Sequence, residues 1–443
     1  MGQKRVGIIV GGGPAPGINA VIGSATIEGI NQGFEVVGFY EGFRYLCSDT
    51  FSEADHTIKL DIPQVARIHF DGGSMLRISR VNLLDEKSIA PNSPVRCDPA
   101  KVGRVVERFQ KLGITHLITI GGDDTALSAR FVAEGAGGAI RSVHVPKTID
   151  NDLPLPQDSP TFGFSTARYL GTMIVKNLMQ DSLTTGRWYL VTVMGRSAGW
   201  LALSIGQAAS ATVTLIPEEF AETTTLSGIA DVIEGTMLKR QTMGRPDGVA
   251  VVAEGLAYRL GDREKIEELL GHNVPVDAAG HIRLSEIPLG LLLRRELQAR
   301  YKARGQKVSM VNHVLGYELR SADPTPGDMA YCRSLGHGCI RLLSMNEESH
   351  SGGVMVALIN GNLFPISFSE MVDPRTNRVR VRTVDIKSDL YRVARSYMLR
   401  LERADLDDPG TLSKLAEQAK MTPDQFHKRY LHAATRLVDG VPA

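Results

Sequence analysis

Short β-branched runs recur along this chain, separated by segments of helical length, and that alternation leaves few folds open. The runs are Val6–Val10, Glu35–Phe39, His116–Ile120, Ser142–Val145, Tyr189–Val193, Ala211–Ile216, Gly248–Ala253 and Val354–Ile359. Between them, Lys101–Leu112 puts Val102, Val105, Val106, Phe109 and Leu112 on one face, the period of an amphipathic helix. Strands alternating with helices predict an α/β fold of doubly wound parallel sheets, with ligands bound by the loops at the strand C-termini. With 443 residues the chain exceeds what one core usually supports, so two domains are expected. Tyr258–Gln306 is strongly charged and helical in character, and reads as a peripheral insertion. From Ser388 onward, Leu390, Val393, Ala394, Tyr397, Met398 and Leu401 form an apolar stripe expected of a docked helix, structural or oligomeric rather than membrane-bound.

The strand ends carry the chemistry. Leu117–Ile120 opens onto Gly121-Gly122-Asp123-Asp124-Thr125. Glycines let backbone N–H groups approach phosphate oxygens closely, and a carboxylate beside them can hold Mg²⁺. The first strand runs into Gly11-Gly12-Gly13-Pro14-Ala15-Pro16-Gly17-Ile18-Asn19. Its G-x-G-x-x-x-G spacing, interrupted by two prolines, departs from the dinucleotide fingerprint even though Glu41 follows the second strand. Phosphate binding at a helix start, or a tight structural turn, remain as readings. After Val145, the loop Pro146–Pro154 packs Lys147, Thr148, Asp150 and Asp152 into six residues: an ammonium and a hydroxyl suited to a phosphoryl group, and carboxylates able to take a proton from a sugar hydroxyl. Arg187, the loop Met194-Gly195-Arg196-Ser197-Ala198-Gly199, Glu254 and the segment Leu315–Arg320 also lie at or beside strand ends. Singly, each reads as a surface ion pair rather than a ligand contact.

Composition excludes other classes. A net charge of +1 gives no bulk attraction to nucleic acid or membrane. No apolar run approaches the roughly 18 residues of a spanning helix, and the N-terminus leads into a strand too short for a signal-peptide core. Cys47, Cys97, Cys332 and Cys339 have neither zinc-site nor disulfide-framework spacing. A soluble cytoplasmic enzyme is expected.

Together and in this order, these segments resemble the phosphofructokinase family over roughly residues 6–345. The resemblance implies two Rossmann-like doubly wound domains with the active site in the cleft between them. Residues 1–161 with about 320–370 would bind the donor, 162–319 with an insertion at about 258–306 the sugar phosphate, and 371–443 would form a C-terminal helical segment. It also implies Mg²⁺-dependent phosphoryl transfer to the 1-hydroxyl of fructose 6-phosphate, a glycolytic step. Carried over, Gly12, Arg80 and Gly122 look like donor-phosphate contacts, Asp123 the Mg²⁺ ligand and Asp150 the general base, with Thr148, Ile149 and Asp152 beside it. Met194, Gly195 and Arg196 match the sugar and transition-state segment, and Glu254 a contact to sugar hydroxyls. Arg187, lent by a neighbouring subunit, and Arg320 match the 6-phosphate ligands, so a homodimer or homotetramer is expected. Tyr317 replaces a histidine found in many relatives. Val311 falls where a second intersubunit arginine stands, with Lys307 nearby as a substitute.

The donor is read from Asp124. ATP-dependent members generally carry glycine there, whereas the pyrophosphate-dependent branch carries aspartate in the place of the ATP α-phosphate. Two unit charges about 4 Å apart at an effective dielectric near 20 repel by ~4 kcal/mol, about a thousandfold in binding. Pyrophosphate, with no α-phosphate, escapes that penalty. Lys147 is suited to neutralise the transferred group. Pyrophosphate is therefore the expected donor, with ATP the alternative.

Overall fold

The computed structural model describes residues 4–88, 94–156, 159–261, 264, 267–268, 287–345 and 353–434. Two compact units emerge, one formed by Met1–Ala167 with Tyr317–Arg382, the other by Arg168–Gly316 with Thr383–Ala443.

The first unit is built on a sheet of eight strands among the described residues: β1 (Arg5–Val10), β2 (Glu35–Phe39), β3 (Thr57–Leu60), β4 (Ile114–Gly121), β5 (Arg141–Thr148), β6 (Phe162–Gly163), and two late strands, Val354–Ile359 and Asn362–Ser367. The centre is parallel, with β4 between β1 and β5. The edges turn antiparallel, β3 against β2 and Asn362–Ser367 against Val354–Ile359. Every residue of Val6–Val10 is buried, as expected of a parallel strand covered on both faces. Helix Pro99–Lys111 buries Val102, Val105, Val106 and Phe109, the face read from its period. Asp98 caps it, accepting from the Ala100 and Lys101 amides at 3.0 and 3.2 Å, with Pro99 at its first position.

The second unit has a four-stranded parallel sheet among the described residues. β7 (Trp188–Val193) lies between Met310–Leu315 and β9 (Gly248–Ala253), and β8 (Val213–Leu215) flanks β9. Here the expected peripheral insertion is corrected. Helix Leu289–Ala303 lies in the core, with Leu292, Leu293 and Leu297 fully buried. Its charge misleads because it is paired. Arg300 meets Asp231 at 2.6 Å, Glu234 at 2.7 Å and Glu296 at 2.9 Å, and Arg304 meets Glu234 at 2.6 Å. Residues 262–263, 265–266 and 269–286 of the insertion lie outside the described residues.

The C-terminal stripe is docked in part, with Ala394 and Leu401 buried. The helix is Asp389–Ser396, capped by Ser388, and it buries Tyr391 and Ala394. Leu390, Val393 and Tyr397 of the anticipated stripe are 51%, 48% and 77% exposed. A polar network selects the buried face. The buried Tyr391 hydroxyl donates to Glu219, which accepts from Arg400 at 2.8 Å with both carboxylate oxygens. Residues 371–382 group with the first unit and 383–434 with the second, so the tail forms no unit of its own. Within the second unit Leu401, Leu406, Leu415 and Phe426 pack with Leu238 in a small cluster. No helix among the described residues is long and apolar enough to cross a membrane.

Candidate active site

In the first unit β1 and β4 are parallel neighbours with Val10 opposite Ile120, so their glycine loops emerge side by side. The Gly11 amide donates to the Ile120 carbonyl at 2.9 Å. Thr125 fills the space between the loops. A Cβ on Gly11 would stand 2.5 Å from the Thr125 hydroxyl oxygen, and one on Gly121 2.4 Å from it. Gly12 has φ +84°. A Cβ there would lie 3.5 Å from the Lys147 ammonium and 3.9 Å from the Gly122 nitrogen, so Gly12, Gly122 and Lys147 converge. Lys147, buried at the end of β5, donates to the Gly13 carbonyl. The Gly12 N–H donates to Ser79 at 3.0 Å, which ties that amide to the chain just before Arg80. Arg80 itself is exposed. The buried Asn19 holds the segment leading to it, accepting from Met75 N at 2.8 Å and donating to the Asp71 and Gly72 carbonyls at 3.2 Å.

Asp123 and Asp124 occupy the first turn of helix Asp123–Gly135, behind Gly122 at the cap. The positive end of the helix dipole favours carboxylates there. Asp124 is exposed, and its Oδ2 accepts from Asn82 Nδ2 at 3.4 Å. Among the described residues no group of three or more His, Cys, Asp or Glu is gathered for a metal. The Asp123 carboxylate at the mouth of a phosphate-type loop fits Mg²⁺, which is usually bound through one or two carboxylates plus substrate phosphates and water.

The loop beyond β5 is tightly held. Asp150 and Asp152 are buried, and the Asp150 amide donates to the Thr148 hydroxyl at 3.0 Å. Asn151, between them, has φ +57°, a left-handed conformation that asparagine tolerates better than most residues. Its Oδ1 accepts from Thr161 N at 3.1 Å, and the Thr161 hydroxyl donates to the Thr148 carbonyl at 2.8 Å. The Ile149 side chain is buried in the core, leaving its backbone for any contact. Arg320 lies 3.2 Å from where a Cβ on Gly13 would be, beside the first glycine loop, and its guanidinium stands 5.4 Å from the exposed Tyr317 ring.

In the second unit β7 leads to the loop Met194–Gly199. Glu254, just past β9, accepts from the Gly195 and Arg196 amides at 3.1 and 2.9 Å. Glu254 thus braces the arginine-bearing loop, a role its sequence position did not announce. Arg196 is exposed with φ +50°. Its carbonyl packs against Gly255, where a Cβ would fall 2.2 Å away. Glu218 closes the far end of the loop, accepting from Gly199 N and Val384 N at 2.9 Å. Burial raises the Glu218 carboxyl pKa. Met194 packs on Gly316, and Arg187 directly precedes β7. Val311 lies on strand Met310–Leu315 opposite Tyr189, and Lys307 is exposed ahead of that strand.

Asn82, Glu218 and His144 escaped the sequence reading. His144 is fully buried on β5, its Nε2 3.1 Å from the Gly121 carbonyl and its Nδ1 2.9 Å from the Thr119 hydroxyl. A carbonyl only accepts, so Nε2 carries the proton and Nδ1 accepts from Thr119. Burial pushes His144 from 6.5 down to about 3 and His116 down to about 4. Above 6.5 neither state protonates His144. Below it the unfolded chain takes up a proton that the folded unit refuses, so stability falls through the window from 6.5 to about 3, by up to ~1.4 kcal/mol per pH unit. We expect His144→Gln to flatten the fall of melting temperature across that window, leaving the share due to His116. An unchanged slope refutes the assignment.

The family model described as phosphofructokinase matches residues 5–343. The chain is 52% identical over 429 residues to the pyrophosphate–fructose 6-phosphate 1-phosphotransferase of Thermotoga maritima, spanning 97% of this chain and 98% of that one. It is 43% identical over 433 residues to the protein of the same name from Naegleria fowleri, over 96% and 94% of the two chains. The crystal structure of a pyrophosphate-dependent phosphofructokinase from Marinobacter aquaeolei matches with a TM-score of 0.61 at 16% identity, over 89% of this chain and 90% of that one, a likeness of fold. Glycine loops side by side at the ends of β1 and β4, a full-length relative at this identity and a model match across most of the chain lead to one conclusion: this protein belongs to the phosphofructokinase family.

Proposed function

We propose that this chain catalyses reversible, Mg²⁺-dependent transfer of a phosphoryl group from pyrophosphate to the 1-hydroxyl of fructose 6-phosphate, giving fructose 1,6-bisphosphate and phosphate. The observation that carries the donor reading is Asp124. Its carboxylate stands exposed in the first turn of helix Asp123–Gly135, two residues after Gly122, the glycine that converges with Gly12 and Lys147. The names carried by the relatives from Thermotoga maritima and Naegleria fowleri agree with it.

In this reading the first unit receives the donor at Gly12, Gly122, Arg80 and Lys147. Asp123 would hold the Mg²⁺, which would neutralise phosphoryl charge. Asp150 accepts the proton of the sugar 1-hydroxyl as the oxygen attacks in line. Lys147 and Arg196 offset charge growing on the transferring oxygens, and such catalysis is mainly positioning plus electrostatics. Thr148, Ile149, Asp152, Met194, Gly195, Arg187, Tyr317 and Arg320 bind the sugar phosphate, and Glu254 serves it by holding the Gly195–Arg196 backbone in place. The active form is a homodimer or homotetramer in the cytoplasm, where the four free thiols stay reduced.

A coupled assay with fructose 6-phosphate and Mg²⁺, comparing pyrophosphate with ATP as donor, tests the proposal. Turnover with pyrophosphate and little with ATP is expected. A preference for ATP rejects the donor assignment.

A further inference from the structure

We propose that Arg382 is a positioning residue that aims the Asp150 carboxylate by locking Asn151 in its left-handed conformation; the inference rests on the reading of Asp150 as the base. Arg382 lies more than two hundred residues downstream, in the same unit. Its guanidinium encloses one residue from two sides. Nε donates to the Asn151 carbonyl at 3.1 Å, and one terminal nitrogen donates to Asn151 Oδ1. The other terminal nitrogen donates to the Ser159 carbonyl at 2.9 Å, and the Arg382 amide to the Asp152 carbonyl at 2.7 Å. Backbone and side chain of Asn151 are thereby fixed together, with Thr161 N as a further donor to Oδ1 at 3.1 Å.

The φ of +57° at Asn151 decides how the chain leaves Asp150, so a change there rotates the peptide plane attached to the base. Left-handed backbone at a non-glycine residue persists where its surroundings over-determine it, and Arg382 supplies three of the donors that do so. Only a planar fork of fixed donors can span a carbonyl and an amide oxygen of one residue while reaching a third acceptor. A lysine ammonium cannot. Apolar burial anchors the segment through Val379 and Val384 on either side, while Val381 is 51% exposed and Thr383 is exposed, so the hydrogen bonds of Arg382 serve placement rather than the fold of the segment.

The test compares Arg382→Lys and Arg382→Ala with Asp150→Ser in the full-length enzyme, with pyrophosphate and fructose 6-phosphate as substrates. Both arginine variants are expected to lose kcat by about a hundredfold, the cost of misplacing a reacting group by ~1 Å, with both KM values and the melting temperature near those of the parent. Millimolar guanidinium is expected to restore part of the activity of Arg382→Ala and none of that of Asp150→Ser. Parental kcat in Arg382→Lys while Asp150→Ser is inactive overturns the positioning role and leaves the base intact. Parental kcat in Asp150→Ser removes the base, and this inference with it. A loss of kcat that tracks a lowered melting temperature in both arginine variants assigns Arg382 to the fold alone and equally overturns it.

Discussion

Asp150→Ser is expected to lower kcat by roughly 10²- to 10⁴-fold, the usual contribution of a positioned general base, with little change in KM for either substrate. The serine hydroxyl cannot hold the proton that the attacking oxygen sheds, while the groups assigned to bind phosphates are untouched. Because the same carboxyl must return that proton when the bisphosphate is the substrate, forward and reverse rates are expected to fall together. Initial rates in both directions at saturating substrate check this. Asp150 is buried in a loop pinned by Thr148 and Thr161, so Asp150→Asn, which keeps the side-chain volume, separates lost chemistry from lost packing. Turnover near the parental rate in both variants excludes Asp150 as the base.

Asp124→Gly is expected to weaken pyrophosphate use and to admit ATP. Removing a unit charge about 4 Å from an incoming phosphate relieves ~4 kcal/mol at an effective dielectric near 20, about a thousandfold in nucleotide binding. The substitution also removes a favourable carboxylate–dipole contact and places glycine in the first helical turn, so a stability loss of about 1 kcal/mol accompanies it. Asp124→Asn isolates charge from bulk, since an amide oxygen can still accept from Asn82. Full ATP use in Asp124→Asn assigns the exclusion to electrostatics, whereas ATP use in Asp124→Gly alone assigns it to space. Unchanged donor preference in both variants removes Asp124 from donor selection.

The sheet centres were legible because central parallel strands are apolar on both faces, and β1 and β4 run directly into glycine. β1, β4, β5, β7 and β9 were all anticipated, shorter by one to four residues or at full length. The antiparallel edges β3 and Asn362–Ser367 were not, because one face of an edge strand meets solvent and its sequence mixes polar with apolar residues. Helix Leu289–Ala303 was misplaced because residue charge was read without its partners. Asp231 and Glu234, which neutralise Arg300, lie more than sixty residues upstream. In the tail helix the burial of Tyr391, which hydrogen-bonds Glu219, was missed because no periodicity reveals it. The same limit applies to the site. Residues at strand ends were found locally, whereas the residues that hold them, Glu218, His144 and Arg382, act across the fold and carry no motif of their own.

The Thr125 side chain occupies the volume that any Cβ at position 11 or 121 would need. Those three positions therefore share one steric allowance and cannot drift independently. In a randomised library, alanine at position 11 or 121 should survive only where position 125 has simultaneously shrunk, so the trio will be recovered as a linked haplotype rather than as three separate tolerances.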